Sequence, residues 1–292
     1  MNIPQLQRLE ANPIIYPGLC SSIGTNINGP SLIAVPDWLP NPLGRYYLYF
    51  GHHNGQFIRL AYADSVEGPW QIHQTGVLPL ADSLFRGHIA SPDVHVDRKE
   101  RRIRLYFHGS DSETDPDTPQ FTRAAISTDG LSFSVRQEIL ATSYMRVFYW
   151  QGYYYGLTMP GKLSRSKDGL TGFEAAHSIF PQGVRHSAVC VRDGKLQVYF
   201  SRIGDSPESI LYSEVDLKED WKQWVAKPGV IVLQPEMDYE GAQAPKIASV
   251  AGIAHEPVWQ LRDPALFVEH GDTYLLYSVA GEQGIAVARI LN

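Results

Sequence analysis

One hairpin pattern recurs five times along the chain, and this recurrence restricts the fold more than any other feature of the sequence. In each copy an alternating strand runs into a turn with glycine or charged residues, and an aromatic strand returns. The copies lie at 28–51, 91–109, 144–159, 186–201 and 263–278. Repeats of this size are typical of propellers and solenoids, in which each unit buries its apolar face against the next unit.

Further strands follow the hairpins and complete units of three or four strands. Third strands are predicted at 58–70, 122–133 and 210–221, a shorter one at 162–173, and the last repeat ends at 284–291. We therefore predict an all-β chain folded as a five-bladed β-propeller, with residues 1–292 in a single domain. The last blade lacks a fourth strand, so 9–17 is expected to supply it and to close the ring as an N-terminal strand. A β-sandwich is the alternative, but a sandwich rarely repeats one hairpin five times.

The composition agrees with many short strands and excludes several classes of function. The 16 Tyr, 25 Gly and 20 Pro occur with little helical periodicity, and only 216–224 is predicted to form a short helical turn. The net charge of -6 and the lack of a basic run argue against a nucleic-acid partner. No apolar stretch reaches membrane-spanning length, so no membrane partner is expected.

The cysteines and the N-terminal residues bear on the compartment. Cys20 and Cys190 follow no metal or redox spacing and exclude a disulfide framework, so two reduced thiols are expected. The N-terminal residues are mixed and polar, unlike a signal peptide. We expect a cytoplasmic protein, or a secreted one whose leader has been removed. The sequence leaves the oligomeric state open.

The openings of the five repeats carry the candidate functional residues. In a propeller the first strand of every blade lines the central channel, so these openings converge at one end of it, where ligands bind. The openings contain Gly29, Ser91, Tyr144, His186 and Asp263, with Asn28, His88, Arg185 and Arg262 just upstream. Asp93 and Arg146 follow two residues inside their strands. We predict a charged pocket at this end of the channel.

The repeats also resemble a known family. The segments "RDPAL" and "SPDVH", each followed by an aromatic return strand, are similar to those of the five-bladed glycosidases of family 43 and of related invertase-like enzymes. The resemblance implies that Asp93 orients and tunes a catalytic pair and that His186 lies near a metal ion in the channel. It also places a base at Gly29 and an acid near Ser143, and neither residue can transfer a proton. The catalytic carboxylates would therefore lie elsewhere in this chain.

Replacements for the missing base and acid can be named. Asp263 holds in blade five the position that the base holds in blade one, and Arg262 beside it would keep it ionised. The acid would be Glu240 or Glu256, from the long connection before the last blade, or a histidine such as His186 or His88. The predicted catalytic residues are Asp93, Asp263, Glu240 and His186. The predicted substrate-binding residues are Asn28, His53, His88, Arg146, Arg185, Arg262 and Glu256.

Three functions fit these residues. The leading hypothesis is a glycoside hydrolase that removes a terminal sugar from a short, anionic or neutral, oligosaccharide in the channel pocket. A glycoside phosphorylase is the second, because arginine and histidine side chains suit a phosphate. A carbohydrate-binding propeller without catalysis is the third, because of Gly29 and Ser143. No cofactor is expected to be required and no catalytic metal is predicted; a structural Ca²⁺ or another cation near His186 is an open alternative.

Overall fold

The computed structural model describes residues 2–112, 118–181 and 183–291, with only the backbone of Ala175 and Ala176. Its strands are β1 Gln5–Arg8, β2 Asn28–Ala34, β3 Tyr46–Gly51, β4 Phe57–Ala63, β5 Gln71–Pro79, β6 His88–Asp97, β7 Arg102–Ser110, β8 Phe121–Ser127, β9 Ser134–Val135, β10 Ala141–Thr142, β11 Arg146–Trp150, β12 Tyr153–Thr158, β13 Lys162–Ser166, β14 Glu174–Ser178, β15 Ser187–Arg192, β16 Lys195–Phe200, β17 Ile210–Asp216, β18 Val230–Leu233, β19 Arg262–Glu269, β20 Asp272–Val279 and β21 Gly284–Leu291. Short 3₁₀ turns lie at Pro17–Leu19, Leu80–Asp82, Trp221–Gln223 and Asp238–Glu240. The turn predicted within 216–224 is therefore present at Trp221.

The strands form five antiparallel sheets that follow one another along the chain. Blade one is β2–β5, blade two β6–β10, blade three β11–β14, blade four β15–β18 and blade five β19–β21 with β1. In blade two both short strands, β9 and β10, pair with β8. The five-bladed propeller predicted from the repeats is confirmed.

The ring is closed by an N-terminal strand, as predicted, but the strand begins earlier in the chain than expected. The pairing of β1 with β21 joins Gln5 to Leu291 and Arg8 to Ala288. The expected segment, 9–17, only continues along β21, where Ile15 forms an isolated bridge with Ile285. The alternation from Gln5 to Arg8 suits an edge strand, whereas Pro13 and Pro17 lack the N–H groups that a ladder needs.

Apolar side chains fill the spaces between neighbouring blades. Five clusters of buried residues occur in the described chain, and each joins two adjacent blades. Leu32 of blade one packs with Phe267 of blade five, for example, and Leu157 of blade three packs with Val198 of blade four. This arrangement explains the many tyrosines, because large rings fill the space between the widening outer parts of the blades.

The first strands of three blades share a bulge at the end where the pocket lies. The register shifts within β2, β6 and β19, directly around a residue that precedes proline. These residues are Gly29, Ser91 and Asp263, and all have positive φ angles of 60°, 49° and 47°. A bulge redirects the side chains that follow it. Gly29 also allows close approach of two blades, since a Cβ atom there would lie 3.1 Å from the Cα of Ser91.

Removing the closing strand is expected to destabilise the whole propeller. Arg8 joins β1 to Glu240 through Nε (2.7 Å) and Nη2 (2.9 Å), so deletion of residues 1–8 would leave a buried carboxylate unpaired and β21 without a partner. We expect a clearly lower melting temperature for this deletion. The variant Gln7→Ala, at an exposed position of the same strand, is the control and should melt like the wild type. An unchanged melting temperature for the deletion would contradict this closure.

Candidate functional site

A pocket of about 640 Å³ lies at the end of the channel where the first strands open. Its wall comes from the first-strand openings, from the connections between the second and third strands of the blades, and from the long loop before β19. Three histidines line it, His53, His88 and His186, together with Tyr144 and Arg185. No Asp or Glu of the described chain lines this pocket. The nearest carboxylates, those of Asp263 and Glu282, lie behind His186 and His53 and contact these rings.

His186 is held by Asp263. Its Nδ1 lies 3.0 Å from Oδ1 of Asp263, and both side chains are 3% exposed. The backbone N–H of Asp263 also points at this Nδ1, at 3.2 Å. One ring nitrogen cannot both donate and accept, and we assign the proton to Nδ1 because a hydrogen bond to a carboxylate is the stronger of the two. His186 then has an unprotonated Nε2 for a group in the pocket.

The charges of this pair are set by burial and by neighbouring residues. Burial alone would raise the pKa of Asp263, but the charge and hydrogen bond of His186 and the charges of Arg185 and Arg262 hold it well below its usual range. Burial lowers the pKa of His186 below its usual value, and Asp263 only partly opposes this effect. At neutral pH the pair therefore consists of a carboxylate and a neutral imidazole, the state that a general base requires.

A second histidine–carboxylate pair lies in the same pocket wall. Nδ1 of His53 is 3.0 Å from Oε1 of Glu282, which is 2% exposed. Burial alone would raise the pKa of Glu282, but the hydrogen bond and charge of His53 and the charge of Arg262 lower it overall. The sequence indicated His53 as a substrate-binding residue, and the structure does place it in the pocket.

The arginines are engaged by protein groups instead of being presented to a ligand. Arg185 binds Glu208 Oε2 through Nη1 (2.9 Å) and the carbonyl oxygen of Gly252 through Nη2 (3.0 Å). Arg262 binds Oε1 of Glu282 through Nη1 (3.0 Å) and is 2% exposed. Only Arg185 lines the pocket. Arg146, the third arginine predicted to bind substrate, donates to the backbone carbonyl oxygens of Ser187 and Pro92, both at 3.0 Å. The three arginines therefore do not form a common anion site.

Tyr144 lines the pocket, and its ring contacts two histidine rings. Its ring centroid lies 4.3 Å from that of His108 and 4.3 Å from that of His186. Its backbone has a φ of 56°, which is strained for a large side chain and typical of functional positions. The third histidine of the pocket, His88, is uncharged at neutral pH. Burial lowers its pKa to about 4, so it cannot donate a proton as a cation.

Asp93, Arg146 and Asn28 lie outside this pocket. Asp93 and Arg146 line a separate cavity of about 100 Å³ further along the channel. Oδ2 of Asp93 accepts hydrogen bonds from Nε2 of His95 and from the backbone N–H of Val147, both at 2.8 Å. Asn28 is buried and donates to Oδ1 of Asn26 at 2.9 Å. Asp93 lies too far along β6 to reach the pocket, which this strand lines through His88, its first residue.

The two glutamates expected from the long loop do not reach the pocket. Glu240 is fully buried beside the closing strand, where it accepts hydrogen bonds from Arg8, Tyr277 and the backbone N–H groups of Glu236 and Met237. Its carboxylate thus binds the closing strand and does not line the pocket, where the sequence analysis had placed it. Glu256 is exposed and is not among the pocket residues.

The residues around His186 can be tested as ligands of the cation that the resemblance implied. In the described part of the chain no group of three or more His, Cys, Asp or Glu is arranged to hold a metal ion. Oδ2 of Asp263 accepts from the hydroxyl of Ser278 at 3.0 Å, while Oδ1 faces His186. The positive charges of Arg185 and Arg262 lie nearby and would repel a cation. These donors therefore do not fit a metal ion.

Sequence reasoning missed Glu282 and underrated His53 and Tyr144. Glu282 follows the return strand of blade five in "AGEQG", as His53 follows that of blade one in "GHHNG". Both connections join the second and third strands of a blade, and the one in blade five places Glu282 next to His53. Aligning these connections, in addition to the first-strand openings, would have brought the two residues together.

Comparison with solved structures supports the fold. A putative glycosidase from Bacteroides thetaiotaomicron is 13% identical, with a TM-score of 0.67 and coverage of 97% of this chain and 96% of that chain. A family-43 β-xylosidase/α-arabinofuranosidase from a compost metagenome, solved with xylotriose, is 14% identical, with a TM-score of 0.62 and coverage of 98% and 95%. At these identities the likeness concerns the fold, which is that of the family-43 five-bladed propellers.

Comparisons at the level of sequence identify one family. No protein-family model matches the chain. No helix in the described residues is long and apolar enough to cross a membrane. An uncharacterized protein of Acanthamoeba polyphaga mimivirus is 35% identical over an alignment of 320 residues, which covers 97% of this chain and 89% of the viral protein. The chain belongs to the same family as this mimivirus protein.

Proposed function

We propose that the chain is a glycoside hydrolase that removes a terminal sugar from a short oligosaccharide, with His186 as the general base. One observation carries this proposal: His186 lines the channel-end pocket, and its Nδ1 lies 3.0 Å from the buried carboxylate of Asp263. A carboxylate behind a histidine fixes the ring and stabilises the imidazolium that forms when the ring accepts a proton.

The reaction would proceed by attack of water on the anomeric carbon. Nε2 of His186 takes one proton from the water as its oxygen bonds to that carbon. The bond between the carbon and the glycosidic oxygen breaks, and the leaving oxygen needs a proton from a second group. Asp263 remains ionised and compensates the positive charge on His186. A properly placed base of this kind contributes about 10²- to 10⁴-fold to the rate.

The charges in the wall favour an uncharged sugar. Arg185 and Arg262 are neutralised by Glu208 and Glu282, and Asp263 adds another negative charge behind the wall. An anionic sugar would meet no free guanidinium of the described chain in this pocket. A family-43 structure of the same fold was solved with xylotriose, a neutral oligosaccharide, and this agrees with the proposal.

A screen with chromogenic glycosides tests the proposal. The protein would be assayed with 4-nitrophenyl glycosides of neutral pentoses and hexoses and with xylo- and arabino-oligosaccharides, with and without inorganic phosphate. We expect release of a free monosaccharide that does not depend on phosphate. A sugar phosphate as the product would favour a phosphorylase. Saccharide binding by calorimetry without turnover of any substrate would contradict the proposal and favour a binding protein.

A further inference from the structure

We propose that His53, held by Glu282, is a further catalytic residue that donates the proton to the leaving glycosidic oxygen. This inference rests on the proposed function, because it supplies the second group that glycoside cleavage needs. The observation behind it is the presence of two histidine–carboxylate pairs in one pocket wall, His186 with Asp263 and His53 with Glu282, each with 3.0 Å between Nδ1 and the carboxylate oxygen.

His53 is held in place by a fully connected network. Asn26 accepts a hydrogen bond from the backbone N–H of His53 at 2.8 Å and donates to Oε2 of Glu282 at 2.7 Å. Glu282 also accepts from Nη1 of Arg262 at 3.0 Å and from the backbone N–H of Ala254 at 3.2 Å. A ring positioned by a buried, hydrogen-bonded carboxylate is ready to act without rearrangement.

The exposure of His53 distinguishes it from the groups around it. Its side chain is 21% exposed on the pocket wall, whereas that of Glu282 is 2% exposed and its oxygens are occupied by four donors. Nδ1 of His53 faces Glu282, and no described residue forms a hydrogen bond with its Nε2. Nε2 of His53 is therefore the atom that can serve a ligand, and Glu282 is a positioning residue.

The other candidates for the acid are less suitable. His88 is neutral at neutral pH, and its Nδ1 contacts the hydroxyl of Ser110 at 3.0 Å. Burial raises the pKa of Tyr144 far above neutrality, which makes its phenol a weak proton donor. Glu240 and Glu256 do not line the pocket. Of the described histidines that line the pocket, only His53 and His186 are paired with a carboxylate, and His186 is assigned as the base.

The two histidines together neither gain nor lose a proton in the reaction, because His53 donates one and His186 accepts one. The mechanism requires His53 as the imidazolium, whose charge the carboxylate of Glu282 would compensate, and His186 as the neutral imidazole. As the glycosidic bond breaks, the Nε2 proton of His53 moves to the leaving oxygen, while a proton of the attacking water moves to Nε2 of His186. After the products leave, His186 returns a proton to solvent and His53 takes one up. No oxidant, reductant or further reactant is needed.

Leaving-group dependence tests this role. The variant His53→Gln would be compared with the wild type on glycosides of one sugar whose leaving groups range from dinitrophenol to a simple alcohol. We expect kcat/KM to fall about 10²- to 10⁴-fold for the alcohol and less than about tenfold for dinitrophenol, which leaves without help. Glu282→Gln should change kcat/KM in the same pattern with a smaller loss. His270→Gln, an exposed histidine, is the matched control and should match the wild type on both substrates.

The comparison remains decisive even where a variant folds poorly. The ratio of kcat/KM between the two substrates does not depend on the fraction of active protein, whereas a folding defect lowers both values equally. An equal loss on all leaving groups would overturn the role of His53 while leaving the hydrolase intact. A wild-type protein that cleaves none of the glycosides would instead contradict the proposed function itself.

Discussion

Replacing His186 with Gln is expected to lower kcat/KM for glycoside hydrolysis by about 10²- to 10⁴-fold with every leaving group. The reason is that Nε2 of His186 would no longer accept the proton of the attacking water, a step common to all substrates. This pattern differs from that expected for His53→Gln, where the loss grows as the leaving group becomes poorer. The measurement is kcat/KM on the dinitrophenyl and alkyl glycosides, with calorimetric sugar binding as a check of folding.

The dependence on pH gives this prediction a second readout. A general base must be unprotonated, so activity should be present above the pKa of His186 and fall as the pH decreases through it. Because burial lowers that pKa, the fall should occur below pH 6.5, the usual value for histidine. His270→Gln again serves as the control. A variant His186→Gln that retains the wild-type rate and the same acidic limb would exclude His186 as the base.

The sequence predicted the fold because each blade carries its own local signal. Alternating strands, turns with glycine and aromatic return strands can be recognised one blade at a time, and five copies then leave few architectures. The closing strand was placed too late because Gln5–Arg8 is only four residues long and has no turn signal of its own. Its position is fixed by pairing with β21, at the opposite end of the sequence.

The candidate site was predicted only in part because it depends on bulges and long-range pairs. His88, Arg185 and His186 were selected from their positions at the strand openings, and His53 from its position after the return strand of blade one. All four line the pocket. Asp263 was selected as the residue facing the sugar, but it does not line the pocket and lies against Nδ1 of His186. Which of the two faces the ligand depends on a local bend of the backbone that residue types do not reveal.

The position of Glu240 could not be predicted either, because it depends on a contact between distant parts of the sequence. A glutamate in a long loop with Gly, Ala and Pro around it resembles a functional residue. Its partner, Arg8, lies 232 residues away in sequence, and nothing in either segment indicates that they meet. Charge pairs of this kind are recognised only once the ring closure is known.

The network behind the pocket is also expected to dominate the stability of the domain. Arg262 lies between Glu208 and Glu282, with Nε 3.7 Å from Glu208 and Nη1 3.0 Å from Glu282, and all three side chains are at most 2% exposed. The variant Arg262→Met would retain much of the volume and leave the carboxylate of Glu282 without its guanidinium partner. Removing one member of a buried ion pair typically costs about 3 to 5 kcal/mol. We expect a loss of this size in the free energy of unfolding at neutral pH, measured by denaturation in urea.

The loss caused by Arg262→Met should depend on pH in a defined direction. In the wild type the pKa of Glu282 is lowered overall, so its contribution to stability is present above the unfolded pKa, about 4.3, and is lost as the pH falls further. The difference between variant and wild type should therefore be full at neutral pH and shrink below about pH 4, where Glu282 is protonated in the variant. Arg289→Met, which breaks the exposed pair with Asp272, is the control and should change stability little at either pH. An Arg262→Met protein as stable as the wild type at neutral pH would mean that the buried carboxylates are neutral, and that Glu282 does not carry the charge that His53 requires.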